Sequence, residues 1–172
     1  MANRSWYGPA QISPVIRNGQ HRKKEGTGVK TLVLGVGNLL MGDDGVGVHA
    51  AMALCREGGL AGAEILEVGT AILDALPELE AADRIIVMDA VCAGEAPGTV
   101  YRIPLSSCAE NSCIASVHGL SLVRILTLYG KKIPDGVVLG VEPDHIGWSM
   151  SLSPRVEKAL PKLLEAVREE IR

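Results

Sequence analysis

Two adjacent carboxylates, Asp43 and Asp44, are the first residues of this chain whose type and spacing could support chemistry. They follow the glycine-rich turn GVGN at residues 35–38, which itself follows the apolar run LVL at residues 32–34. A single carboxylate before a helix is commonly an N-cap, and that interpretation covers one of the two. Because a fixed carboxylate pair repels phosphate and attracts a cation, the two together favour a cation-facing loop.

A nucleotide is the other ligand that a glycine-rich turn suggests. The dinucleotide fingerprint requires G-x-G-x-x-G at the turn from strand to helix, and Leu40 occupies the third glycine position here. The turn also lacks the Gly-Lys-Ser/Thr ending of a phosphate-binding P-loop. A nucleotide-binding module therefore stays an alternative that would have to accept phosphate beside two carboxylates.

Two further candidates follow later in the chain. Asp89 ends the apolar run RIIVMD at residues 84–89, where it could cap the next turn or face a site at the carboxyl end of a strand. His118 precedes a predicted helix, where a lone histidine can also be a cap or a surface residue. Two carboxylates and one imidazole, however, form an O,O,N ligand set that leaves positions open for a substrate.

The elements that must position these residues alternate between strand and helix. Apolar runs predict strands at residues 32–34, 64–68, 84–89, 99–103 and 137–141, and periodicity predicts helices at 45–56, 71–80, 119–129 and 154–171. The link before the fourth strand is too short for a parallel crossover, so that strand is expected to be antiparallel or at an edge. Pro161 is expected to kink the last helix or to delay its start.

The fold expected from this order is α/β: a three-layer α/β/α sandwich around a five-stranded, mostly parallel twisted sheet with one antiparallel strand. A chain of 172 residues suits one such domain, which we expect at 30–172 after a poorly ordered arm at 1–29. Since the apolar stripes are all used in the core, we expect a monomer.

Composition excludes several classes of partner. The formal net charge of −3 gives no reason to expect nucleic acid, and no apolar run approaches the about 20 residues that span a bilayer. The first residues lack the apolar core of a signal peptide, so a cytoplasmic protein is expected. The four cysteines form no C-x-x-C pair and are expected to be reduced thiols.

Several short blocks occur in an order that resembles a known family, the hydrogenase maturation endopeptidases, which remove the C-terminal extension of the large subunit of nickel–iron hydrogenases. The blocks are GVGNLLMGDDG at 35–45, EVGT at 67–70, IIVMDA at 85–90, PGT at 97–99, HGL at 118–120 and GVEPD at 140–144. The resemblance implies that the family's metal ligands fall on Asp44, Asp89 and His118. The first of these is a glutamate in some relatives.

The same resemblance implies a mechanism and a partner. The protease would recognise nickel already installed in the large-subunit precursor, with Asp44, Asp89 and His118 completing the coordination of that nickel. Whether the nickel also polarises the scissile carbonyl or activates water stays open. Asp43 would serve as a general base or as a partner that orients a ligand.

Two more readings compete with the nickel-recognising protease. An ordinary metallohydrolase would hold its own zinc or nickel without any partner. A non-catalytic chaperone of the hydrogenase would bind the precursor and leave its length unchanged. Of the other histidines, His49 is expected to be structural and His145 to lie at the rim of the site.

Overall fold

The computed structural model describes residues 29–110 and 117–172, with side chains at 29–108 and 122–172. The expected N-terminal arm lies outside the described residues except for its last residue. Five strands form one sheet: β1 Thr31–Val36, β2 Ala63–Gly69, β3 Arg84–Ala90, β4 Val100–Pro104 and β5 Asp135–Val141. The α-helices are α1 Val46–Arg56, α2 Leu76–Ala81, α3 Ser107–Glu110, α4 Val117–Leu128 and α5 Pro154–Ile171.

The sheet has the strand order β2-β1-β3-β5-β4. Strands β2, β1, β3 and β5 run parallel, and β4 pairs with β5 in the antiparallel sense at one edge. The expectation of an antiparallel fourth strand is confirmed, because the link between Ala90 and Val100 leaves no room for a helical crossover.

Alternation along the strands builds two cores, one on each face of the sheet. Leu32 and Leu34 of β1 face α2 and α4, whereas Val33 faces α1 and α5. The central strands β1 and β3 are buried on both faces, as expected for parallel strands covered by helices. The three-layer α/β/α architecture is therefore confirmed. In the parts of the chain that are described, no helix is both long and apolar enough to cross a membrane.

Two prolines take places that the periodicity did not indicate. Pro77 lies in the first turn of α2, so the predicted helix at 71–80 is in fact a 3-10 helix, Ile72–Ala75, followed by α2. The expectation that Pro161 delays the start of the last helix is wrong, because α5 begins at Pro154 and continues through Pro161. Pro161 is exposed, so the carbonyl that loses its helical partner there can be hydrated.

Helix α1 packs unusually close to the sheet because two glycines face each other across the contact. A Cβ atom added to Gly47 would lie 2.0 Å from the carbonyl oxygen of Met88, and one added to Gly35 would lie 2.5 Å from the oxygen of Gly47. No larger residue fits at either place without a shift of the backbone. This close approach holds the turn after β1 against the end of β3.

Candidate active site

The order of the strands reverses at β1, because the chain continues from β1 to β2 on one side and β3 lies on the other. In open α/β sheets, ligands bind in the crevice at the carboxyl ends of the strands at such a point. Asp43 and Asp44 follow β1 in a 3-10 helix, Asp43–Gly45, which packs against β3. Asp89 is the penultimate residue of β3. The topology thus brings the predicted carboxylates to the same end of the sheet.

Asp44 is half-buried and is held by the glycine turn that precedes it. Its Oδ2 atom accepts a hydrogen bond from the backbone N–H of Asn38 at 2.9 Å. Gly37 has a φ angle of 120°, and a Cβ atom there would lie 1.9 Å from the carbonyl oxygen of Asp44. The backbone N–H of Gly37 donates to the carbonyl of Gly69 at 3.0 Å, which fastens the turn to the end of β2. Glycine is therefore required at position 37 for the loop to close.

Asp89 is fully buried at the end of its strand. Its Oδ1 atom accepts a hydrogen bond from the backbone N–H of Ala90 at 2.8 Å. The exposed thiol of Cys92 lies close by, and its pKa is raised by burial and then by the charges of Glu142, Asp44 and Asp89. The 3-10 helix that carries Asp44 packs against β3, the strand that carries Asp89.

His118 lies in the first turn of α4, and α4 packs against β3, the strand that carries Asp89. The side chain of His118 is outside those that are described. Among the described side chains, no three histidine, cysteine, aspartate or glutamate groups converge closely enough to hold a metal. The predicted trio of Asp44, Asp89 and His118 therefore stays a prediction.

Asp43 differs from its neighbour because its carboxylate is completely buried. It accepts hydrogen bonds from the backbone N–H groups of Asp144 at 2.9 Å, His145 at 2.9 Å and Ser153 at 2.7 Å. Burial alone would raise the pKa of Asp43, but the bonds donated by Ser153, His145 and Asp144 outweigh it and leave the pKa below its ordinary value. Asp43 thus ties together both ends of the loop at residues 144–153.

A second buried carboxylate, Glu142, was not singled out by its spacing in the sequence. It accepts hydrogen bonds from the backbone of Ala93 at 2.9 Å and of Gly94 at 3.2 Å, and from the Tyr101 hydroxyl. Burial raises the pKa of Glu142, but the hydrogen bonds lower it by more. The pKa of Glu142 is therefore below its ordinary value. Burial and the bond to Glu142 raise the pKa of Tyr101 to about 12.

The role of Glu142 is to fix the turn that follows β3, next to Asp89 and Cys92. The signal that could have identified it is a charged residue placed directly after the continuous apolar run of β5. Such a side chain must either leave the sheet or find buried partners.

The two described histidines lie outside the crevice itself. His49 is on α1, and its pKa is lowered by burial and then by the charge of Arg56. Its Nε2 atom is buried without a hydrogen-bond partner in the described structure. His145 is exposed, and its ring lies over Gly147, where an added Cβ atom would be 2.5 Å from His145 Nε2. The backbone N–H of His145 binds the carboxylate of Asp43, and its place at the rim of the site stays a prediction.

Comparison with known proteins identifies relatives with this fold. A family model described as hydrogenase maturation protease, HycI, matches residues 48–170. The hydrogenase 2 maturation protease of Escherichia coli K12 is 33% identical over 153 residues, which cover 82% of this chain and 92% of that protein.

Solved structures agree with the sequence comparison. The hydrogenase maturating endopeptidase HybD from E. coli superposes with a TM-score of 0.70 at 29% identity, covering 84% of this chain and 93% of that one. The [NiFe] hydrogenase maturation protease HybD from Thermococcus kodakarensis gives a TM-score of 0.71 at 25% identity, covering 84% and 100%. From the matched family model, the sequence identity and the shared fold, the chain belongs to the hydrogenase maturation protease family and is a peptidase.

Proposed function

We propose that this chain is the endopeptidase that removes the C-terminal extension from the large-subunit precursor of a nickel–iron hydrogenase after nickel has been inserted. The observation that carries the proposal is the position of Asp44 and Asp89. Asp44 lies in the 3-10 helix that follows β1, Asp89 lies at the end of β3, and these neighbouring parallel strands flank the point at which the strand order reverses, where ligands bind in open α/β sheets. A crevice of this kind, with two carboxylates and one of them half-exposed, suits a cationic group of the substrate.

The nickel in this proposal belongs to the substrate. Asp44 and Asp89 supply oxygen ligands and His118 a nitrogen ligand, which together suit a divalent transition metal that is presented by another protein. Because the bonds between these ligands and the metal form only when the metal is present, a nickel-free precursor lacks that part of the binding free energy. The protease would therefore select precursors by their metal content as well as by their sequence.

We assign Asp43 to positioning rather than to proton transfer. A carboxylate that already accepts three backbone hydrogen bonds, and whose pKa is below its ordinary value, is a weak base. Its place beneath the loop at residues 144–153 lets it hold the wall of the crevice while Asp44, its neighbour, faces the substrate.

The test is a processing assay with a nickel-loaded and a nickel-free precursor, read by intact mass. We expect loss of a C-terminal peptide from the loaded precursor only, and loss of that activity in the Asp44→Asn, Asp89→Asn and His118→Ala variants. The matched control is Asp135→Asn, which changes a side chain that is 83% exposed at the opposite end of the sheet.

Two other outcomes would replace the proposal. Binding of the precursor without any change in its mass would indicate a chaperone. Cleavage of both precursors at the same rate, dependent on zinc or nickel bound by the purified protease, would indicate an ordinary metallohydrolase.

A further inference from the structure

Two loops, one after β1 and one after β5, are joined by backbone hydrogen bonds and expose a surface of large apolar side chains. One loop is the turn at residues 38–42, after β1, and the other is the loop at residues 144–153. We call this surface the apolar rim; it comprises Leu40, Ile146, Trp148 and Met150, with exposed fractions of 46%, 44%, 85% and 71%. Neither segment 38–42 nor segment 145–151 contains an acidic residue, a lysine or an arginine. Exposed apolar side chains that are grouped in this way are commonly part of a binding site.

The two loops are joined to each other, so the exposure of the rim does not come from a loose segment. The backbone N–H of Gly42 donates to the carbonyl of Ser149 at 2.8 Å, and the N–H of Ser149 donates to the carbonyl of Leu40 at 3.1 Å. The buried carboxylate of Asp43 closes the base of the loop at residues 144–153 by binding N–H groups at both of its ends. A rim that is already ordered loses little conformational entropy when a partner binds it.

We propose that the apolar rim binds the C-terminal extension of the precursor, through an uncharged apolar stretch of that extension. This inference rests on the proposed function. Leu40 and Asp44 are four positions apart in the chain, so the rim begins at most about 14 Å from Asp44. An extended substrate chain with its cleavage site at Asp44 and Asp89 would therefore reach the rim within about four residues.

The area of the rim argues against a second copy of this chain as the occupant. Four partly exposed side chains offer on the order of 500 Å², whereas each partner in a stable dimer buries about 800 Å². A short extended peptide needs no more than such an area. Trp148, as the most exposed of the four and an aromatic residue, is the side chain expected to contribute most to binding.

Fluorescence of Trp148 reports directly on the rim. The chain has two tryptophans, so the Trp6→Phe variant leaves Trp148 as the only one. We expect its emission to shift to shorter wavelength when a synthetic peptide covering the C-terminal extension of the precursor that the protease cleaves is added. In the same background, the Ile146→Ser/Met150→Ser double variant should weaken peptide binding by about tenfold or more. The matched control is Leu128→Ser, at a side chain that is 84% exposed on α4, and it should leave binding unchanged.

Processing kinetics give the second readout. The Trp148→Ser variant should raise KM for the nickel-loaded precursor by about tenfold or more while kcat changes by less than about threefold, because binding is lost without loss of the reacting groups. Equal KM values for Trp148→Ser and Leu128→Ser would overturn the inference while leaving the proposed function intact. A blue shift with a precursor that lacks its extension would assign the rim to the folded body instead. A dimer in sedimentation that Trp148→Ser dissociates would assign it to a second copy.

The inference and the proposed function can fail separately. If no precursor is cleaved, the proposed function fails, and the peptide titration of Trp148 still decides whether the rim binds the extension.

Discussion

Asp43 and Asp44 are neighbours with the same side chain and opposite environments. Asp43 is fully buried among three backbone donors, whereas Asp44 is half-buried and accepts one hydrogen bond from Asn38. The first arrangement stabilises a loop, and the second leaves a carboxylate available to a substrate. This difference in burial is the reason that we propose a positioning role for Asp43 and contact with the substrate for Asp44.

The same substitution at the two positions should give opposite phenotypes. In Asp43→Asn, the new NH₂ group meets a backbone donor, so we expect the free energy of unfolding to fall by about 1–3 kcal/mol. In Asp44→Asn, stability should change by less than about 0.5 kcal/mol, because the half-exposed site keeps an acceptor, while precursor processing is lost. Urea unfolding and the intact-mass assay measure the two effects. Full processing by Asp44→Asn would remove that residue from the site.

Glu142 makes the stability of the folded protein depend on pH in the acidic range. Its pKa in the folded protein is below the ordinary value of 4.5, so its carboxylate contributes stability that is fully present above about pH 4.5 and is lost as the pH falls through the folded pKa. We expect Glu142→Gln to lower stability at pH 7 and to reduce the loss of stability between pH 5 and pH 3. Urea midpoints at these pH values test this, with Glu165→Gln, at an exposed ion pair, as the control. An unchanged acid slope in Glu142→Gln would contradict the assignment.

At the scale of elements, the contact of α1 with the sheet decides where the crevice lies. The helix approaches β1 and β3 so closely that position 47 cannot carry a side chain. The same contact presses the 3-10 helix with Asp44 against β3, which carries Asp89. The site therefore depends on a glycine that takes no part in its chemistry.

Gly47→Ala tests this dependence, because at this helical position alanine should be less stable than glycine. Alanine in a helix is usually more stable than glycine by about 1 kcal/mol. Here the added Cβ atom would lie 2.0 Å from Met88 O, and we expect a net loss of about 1–3 kcal/mol with reduced processing. The control in the same helix is Ala53→Gly, which should lose about 1 kcal/mol through helix propensity alone. A more stable Gly47→Ala variant would show that the helix can move away without cost.

At the scale of the whole molecule, Glu170 of α5 binds two strands at the end of the sheet opposite the candidate site. Its carboxylate is 11% exposed and binds Arg84 of β3, with Nη2–Oε2 at 2.6 Å, and Arg102 of β4. The hydrogen bond from Arg102 is the main reason that the pKa of Glu170 is below its ordinary value. One carboxylate thus joins the last helix to two strands, β3 and β4.

Removing this charge should affect stability and not chemistry. We expect Glu170→Gln to lower the free energy of unfolding by about 1–3 kcal/mol, because two arginines lose a largely buried partner. Glu165→Gln breaks a pair whose carboxylate is 49% exposed and should change stability by less than about 0.5 kcal/mol. Denaturant unfolding measures both, and the processing rate of folded Glu170→Gln should match that of the unsubstituted protein. A large drop in that rate would mean that the two ends of the sheet are coupled.

Much of the fold followed from local pattern. Apolar runs identified all five strands, and the short link before Val100 predicted that β4 is antiparallel or at an edge, and it is both. Asp89 could be assigned to a strand end because a carboxylate closes an otherwise apolar run. These features depend on residues close together in the chain, where side-chain period and link length act directly. Of the two effects expected from Pro161, the delayed helix start is wrong, because the tolerance of a proline inside a helix depends on exposure, which the periodicity of that helix does not report.

The division of roles between Asp43 and Asp44 could not be read from their neighbours. It depends on backbone N–H groups about a hundred residues away, at Asp144 and Ser153, which approach only one of the two carboxylates. The hydrogen bonds of Glu142 to Ala93 and Gly94, and those that join the two loops of the apolar rim, also connect segments that are distant in the chain. Hydrogen bonds between distant segments leave no periodic trace in the chain, so packing alone settles which polar groups are buried and which apolar side chains remain exposed.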